Sequence, residues 1–113
     1  MMAVSPGIYN ISLQRRADYY VTLQFKDPTG TAIDLTGWTV DAQAWNKKRT
    51  TKYADFAVDY TDRSAGTVSI SLTDTQTEAL PDEVYYDVLL TNTTGIKEYY
   101  LEGVIYVSEG YTA

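Results

Sequence analysis

Tyr19-Tyr20-Val21-Thr22-Leu23-Gln24-Phe25-Lys26 alternates strictly: Tyr19, Val21, Leu23 and Phe25 on one face, Tyr20, Thr22, Gln24 and Lys26 on the other. Period-two patterning of this kind marks a strand with one buried face, and it recurs along the whole chain. Asp27-Pro28-Thr29-Gly30 follows as a turn, with Pro presetting φ and Gly accepting a positive φ. Ile33 and Leu35 resume the apolar pattern before a second turn at Thr36-Gly37.

The next segment places Trp38, Val40, Ala42 and Ala44 inward, leaving Thr39, Asp41, Gln43 and Trp45 outward. Residues 46–53 are polar, basic and threonine-rich, as expected of a mobile loop or hairpin tip. Phe56, Val58 and Tyr60 form an inward set, and after a turn over 61–66 so do Val68, Ile70 and Leu72; the two are spaced as a hairpin. Thr73 followed by Gln76 matches a capping box and Pro81 stops propagation, predicting one or two turns of helix near 74–80 that close an end of the core with Leu80. Strand pattern returns at 84–91, with Tyr86, Val88 and Leu90 opposed to Tyr85, Asp87 and Leu89. Asn92-Thr93-Thr94-Gly95 reads as a hairpin turn, and a last strand runs from Ile96 to Val107. Glu102-Gly103 suggests a bulge in it, with Tyr99 and Leu101 on one face before the break.

Seven or eight short strands separated by turns, with one short helical turn, predict an all-β fold: a two-sheet antiparallel β-sandwich of immunoglobulin-like topology, with a small barrel as second choice. The 113 residues make one domain, with residues 1–7 and 108–113 expected as extended arms. No apolar run approaches the roughly 20 residues of a membrane span, and no signal peptide is visible, so cytoplasmic synthesis is expected with no membrane partner.

The chemistry is restricted by what is missing. Neither Cys nor His occurs, which removes disulfides, thiolate nucleophiles, Cys/His zinc sites and the usual acid-base side chain near neutral pH. A net charge of −6 repels phosphate backbones, and Arg15-Arg16 and Lys47-Lys48-Arg49 are too small to make a nucleic-acid stripe. Asp55, Asp59 and Asp62, and the pair Asp82-Glu83, lack the spacing of a calcium loop and read as solvated acids; Asp87 reads as an outward strand residue paired with a neighbouring Lys, Arg or Tyr. The sequons Asn10-Ile11-Ser12 and Asn92-Thr93-Thr94 carry little weight without a secretory context. No nucleophile elbow or phosphate loop is present, so no catalytic, cofactor or metal residues are assigned and no enzyme activity is expected.

Tyrosine is over-represented, with 11 residues, and its apolar ring and polar tip suit a sheet touched by partners. Within the predicted strands there is no proline, and the last strand carries Tyr99, Tyr100, Leu101, Ile105 and Tyr106 against charges only at Lys97, Glu98 and Glu102. An unblunted edge of this kind invites pairing. The expected contact surface is therefore Trp45, Tyr99, Tyr100, Tyr106 and Tyr111, together with the two arms.

Ile33-Asp34-Leu35-Thr36-Gly37-Trp38-Thr39-Val40, the threonine-rich turn before Leu80, Tyr86-Asp87-Val88-Leu89-Leu90, Gly95 and Leu101-Glu102-Gly103-Val104 with Val107 and Thr112 form a pattern over roughly 13–112. It resembles small structural proteins of tailed bacteriophages, in particular the N-terminal attachment domain of baseplate upper proteins and related tail or neck components. The resemblance implies a β-sandwich docking module without a fibre, located in the virion. Its partners would be other virion proteins and copies of itself, as a homo-oligomer in the assembled particle. A capsid decoration protein is one alternative. A carbohydrate-binding or adhesion module is another, for which two or three aromatics would have to gather beside a carboxylate or amide in one shallow groove.

Overall fold

The structure, a computed structural model, describes residues 7–109. Among the described residues nine strands form: β1 (Gly7–Ile8), β2 (Ile11–Gln14), β3 (Tyr19–Gln24), β4 (Thr39–Trp45), β5 (Lys52–Asp55), β6 (Ala57–Asp62), β7 (Thr67–Leu72), β8 (Glu83–Thr91) and β9 (Lys97–Ser108). They build two separate sheets, which sets the barrel aside: β1-β9-β8-β4-β5, with β2 also on β9, and β3-β7-β6. The pairing is antiparallel except at β1 and β2, which run parallel to β9 with Ile11 beside Ile105. A purely antiparallel sandwich therefore does not describe it.

The alternation seen in the sequence becomes the core. Val40, Ala42 and Ala44 from β4, Val84, Tyr86, Val88 and Leu90 from β8, and Val68, Ile70 and Leu72 from β7 are all buried and face one another between the sheets. Burying such apolar area is the main term favouring the fold. The chain passes from one sheet to the other at Phe56, whose N–H donates to the Ala42 carbonyl at 2.9 Å. The Val40 N–H donates to the Tyr60 hydroxyl across the sandwich at 2.9 Å. The helix, α1 (Asp74–Glu78), starts on Thr73 with the reciprocal capping box that Gln76 completes, and Leu80 is buried behind it. A second helical turn, a 3-10 turn at Arg63–Ala65, is capped by Asp62 and was not anticipated.

Several local expectations are corrected. Residues 46–53 are not all loop, because Lys52 already begins β5 on the edge of β4. The bulge in β9 lies at Tyr100, not at Glu102-Gly103: Leu101 pairs with Val88 and Tyr99 with Leu89, leaving Tyr100 as the extra residue. Tyr100 therefore turns inward beside Leu101, while Tyr99 stays outside. Gly103 has a different cause. A Cβ there would stand 2.1 Å from the Tyr9 carbonyl oxygen, so the chain between β1 and β2 can lie against β9 only over a glycine.

The arms are shorter than expected, since Gly7 belongs to β1 and Ser108 to β9. Glu109 is held in place by ion pairs to Arg15 and Arg16. The rest of both expected arms lies outside the described residues. Most consequentially, β9 is not an edge along most of its length: β8 pairs along one side of it, and β1 and β2 cover the other from Leu101 to Ser108, leaving that side of residues 97–100 without a partner strand among the described residues.

Candidate binding groove on the outer face of the larger sheet

Strand order brings three outward sets side by side. Trp45 on β4 lies opposite Tyr85 on β8, which lies opposite Val104 on β9; Gln43, Asp87 and Glu102 form the next row; Asp41, Leu89 and Tyr99 form the third. With strands about 4.8 Å apart and about 3.3 Å per residue, these rows make a floor roughly 10 by 13 Å. The hairpin between β4 and β5 rises beside it, and together they enclose a groove of about 510 Å³ lined also by Asn46, Lys47, Arg49 and Gly103.

The hairpin is built to stand there. Asn46 accepts from the N–H groups of Thr50 and Thr51 through its side-chain oxygen, at 2.8 and 3.1 Å, which holds the turn closed. Arg49 sits at φ 57°, a left-handed conformation that a residue with a Cβ seldom adopts. Its guanidinium lies over the Trp45 ring, 5.1 Å from the centroid. The indole is fixed from below by its N–H, which donates to Gln43 Oε1 at 2.9 Å.

Charge on the floor is poorly balanced. Asp87 and Glu102 are directly opposed across β8 and β9, an arrangement that costs stability in a sheet. Partial burial pushes the Asp87 carboxyl above the usual carboxylate range; the Arg49 charge opposes this and Glu102 adds to it. Among the described residues the ion pairs are those of Arg15, Arg16 and Lys52, and none reaches Asp41, Asp87 or Glu102. The expected partner for Asp87 is thus present only as the nearby charge of Arg49.

The residues singled out from sequence fall in different places. Trp45 is half-buried on the groove wall, and Tyr99, 46% exposed, closes its far end. Tyr106 is exposed on the same sheet but beside Glu83 and Ser12, away from the groove. Tyr100 is withdrawn from the surface: it packs edge-on against Phe25 at 6.1 Å, because the bulge turns it inward. Tyr111 lies outside the described residues. Asp41, Gln43, Tyr85, Asp87 and Leu89 had been placed on outward faces, but only the order β9-β8-β4 makes one site of them. The acids read as solvated are all exposed, and three of them also make surface contacts: Asp55 pairs with Lys52, Asp62 caps the 3-10 turn, and Asp82 pairs with Arg15. Among the described residues no group of three or more potential ligands could hold a metal ion. Among the described residues, the side-chain hydroxyls lining the groove are tyrosine phenols. The site is equipped to bind by stacking, hydrogen bonding and charge.

The architecture is that of an immunoglobulin-like β-sandwich. The chain is similar to one in the crystal structure of ICOS in complex with ICOS-L and an anti ICOS-L VNAR domain, with a TM-score of 0.54 and 14% sequence identity over 91% of this chain. It spans 56% of that chain, and at this identity the likeness concerns the fold alone. A similarity to the ZIG-8–RIG-5 IG1-IG1 heterodimer has a TM-score of 0.40 at 9% identity, covering 96% of this chain and 88% of that one, and carries no argument. No family model matches the chain, and no curated protein does.

Proposed function

We propose that this chain is a non-enzymatic docking module of a tailed-phage virion that binds a protein partner through the outer face of its larger sheet. The observation that carries the docking reading is the groove: Trp45 and Tyr85 on one side and Leu89 and Tyr99 on the other present aromatic and aliphatic area flanking the polar row Gln43, Asp87 and Glu102, on three adjacent strands. Tyrosine and tryptophan are enriched at protein interfaces, where the ring supplies contact area and the polar tip a hydrogen bond. The virion setting is supported by the sequence pattern from Ile33 to Val107. Mass spectrometry of purified particles from the phage whose genome carries the gene tests it: the chain is expected among the particle proteins, and its absence from them would overturn the virion reading.

The same groove favours a second reading, a sugar-binding module, because it gathers Trp45, Tyr85 and Tyr99 beside Asp87 and Gln43. Trp45-dependent binding on a glycan array would replace the protein-docking reading with this one.

Contacts between copies, also part of the proposal, cannot use the edge of β9 that β1 and β2 cover. The edge of β3 supports them better. It is six residues long with no charge and no proline, and Tyr20 on it is 75% exposed. The edges of β5 and β6 carry Lys52, Asp55, Asp59 and Asp62, the kind of charges that discourage pairing.

A further inference from the structure

We infer that the groove is a receptor for a basic side chain, an arginine or lysine presented by the docking partner, and that Arg49 is its internal stand-in. The inference rests on the docking reading and specifies the partner's chemistry. Three observations carry it. First, Asp41, Asp87 and Glu102 outnumber the cations Lys47 and Arg49 that line the same groove and make no ion pair among the described residues, and Asp87 faces Glu102 across adjacent strands. A cation entering between them would relieve repulsion already present in the free protein. Second, the wall is an indole held in orientation by Gln43, and the face of an indole attracts cations, the more strongly when water is excluded.

Third, the protein itself places a guanidinium there. Arg49 takes a left-handed backbone conformation that glycine or asparagine would adopt at less cost, and from it the side chain reaches the Trp45 ring. The groove thus already shows the chemistry that it accepts. Arg49 lies over the indole but within 4 Å of no carboxylate, so the floor remains open to a second cation coming from outside. The incoming group would take the place of Arg49 on Trp45 while reaching Asp87 and Glu102, and Arg49 competes with it by position and by like charge.

The test uses three capped peptides, Gly-Arg-Gly, Gly-Leu-Gly and Gly-Glu-Gly, titrated against the whole chain and followed by the indole N–H resonances of its two tryptophans. Trp45→Phe assigns the Trp45 signal. The arginine peptide is expected to shift that signal, weakly in the native chain and severalfold more tightly in Arg49→Gly, which suits the left-handed backbone and empties the indole face. The shift should weaken with added salt and disappear in the near-isosteric double variant Asp87→Asn with Glu102→Gln. No shift with the arginine peptide in either the native chain or Arg49→Gly overturns the inference, as does an equal shift with the leucine or glutamate peptide, or no gain from Arg49→Gly. The docking reading fails separately, if substitutions at Trp45 and Tyr99 leave assembly with a protein partner unchanged.

Discussion

A methyl group added at Gly103 would meet the Tyr9 carbonyl at 2.1 Å and the Tyr86 ring at 3.1 Å. That carbonyl also accepts a hydrogen bond from the Tyr86 hydroxyl, so the substitution strikes the point where the first strands are pinned to the sheet. Gly103→Ala is predicted to cost about 1–3 kcal/mol, as overpacking does, and denaturant unfolding measures it; an unchanged midpoint would mean that the β1–β2 connection moves away at no cost. Asp87 makes a pH-dependent prediction. Burial raises its carboxyl pKa in the folded state, so the folded protein binds the proton more tightly than the unfolded chain, and stability falls as pH rises from the unfolded to the folded value. Asp87→Asn should therefore raise the unfolding midpoint at neutral pH, and the gain should vanish below the unfolded carboxyl pKa. A gain that persisted in acid would assign the effect to something other than ionisation. These outward residues were legible in the sequence one strand at a time. The opposition of Asp87 and Glu102 was not, because register depends on the bulge at Tyr100, and nothing in Tyr99-Tyr100-Leu101 says which of three apolar residues is the extra one.

Elements with local signals read correctly. Thr73 and Gln76 lie within one turn of each other, so their capping box needed no long-range information, and α1 forms where it was expected. Thr73→Ala should destabilise the fold by about 1 kcal/mol, read from the shift in unfolding midpoint with the denaturant slope unchanged. The face of β8 was equally plain, since Val84, Tyr86, Val88 and Leu90 alternate without interruption. Edges were not legible. Whether β9 is central or peripheral is decided by β1 and β2, whose parallel pairing comes from residues nearly a hundred positions away. Of the edges β3, β5 and β6, the one without charged residues is β3, whose inward residues Tyr19, Val21 and Leu23 are only half-buried. Burial with Tyr9 close by pushes the Tyr19 hydroxyl pKa up to about 12. Light scattering at rising concentration should show self-association that Tyr20→Lys removes; a native chain that stays monomeric at all concentrations would rule out β3 as a contact between copies.

For the whole molecule, the sandwich could be inferred from alternation because a two-sheet core demands one buried face per strand. The groove could not, because it needs β9, β8 and β4 to be neighbours in that order. Its position leaves the opposite sheet as an internal control. Away from Tyr20, the outer face of β3 and β7 shows small hydroxyl side chains such as Thr22 and Ser69, hydrogen-bonded to each other at 2.9 Å, which offer little to anchor a partner. The most direct measurement is the affinity of the chain for the protein partner that the docking proposal requires, compared between Trp45→Ala with Tyr99→Ala on one face and Thr22→Ala with Ser69→Ala on the other, all shown to be folded. A hot-spot side chain contributes about 2 kcal/mol or more to binding, so loss of either residue of the first pair should weaken a complex by roughly thirtyfold and loss of both by more, while the second pair leaves it unchanged. A complex that survives loss of Trp45 and Tyr99, or that is lost on changing Thr22 and Ser69, would contradict docking through the groove.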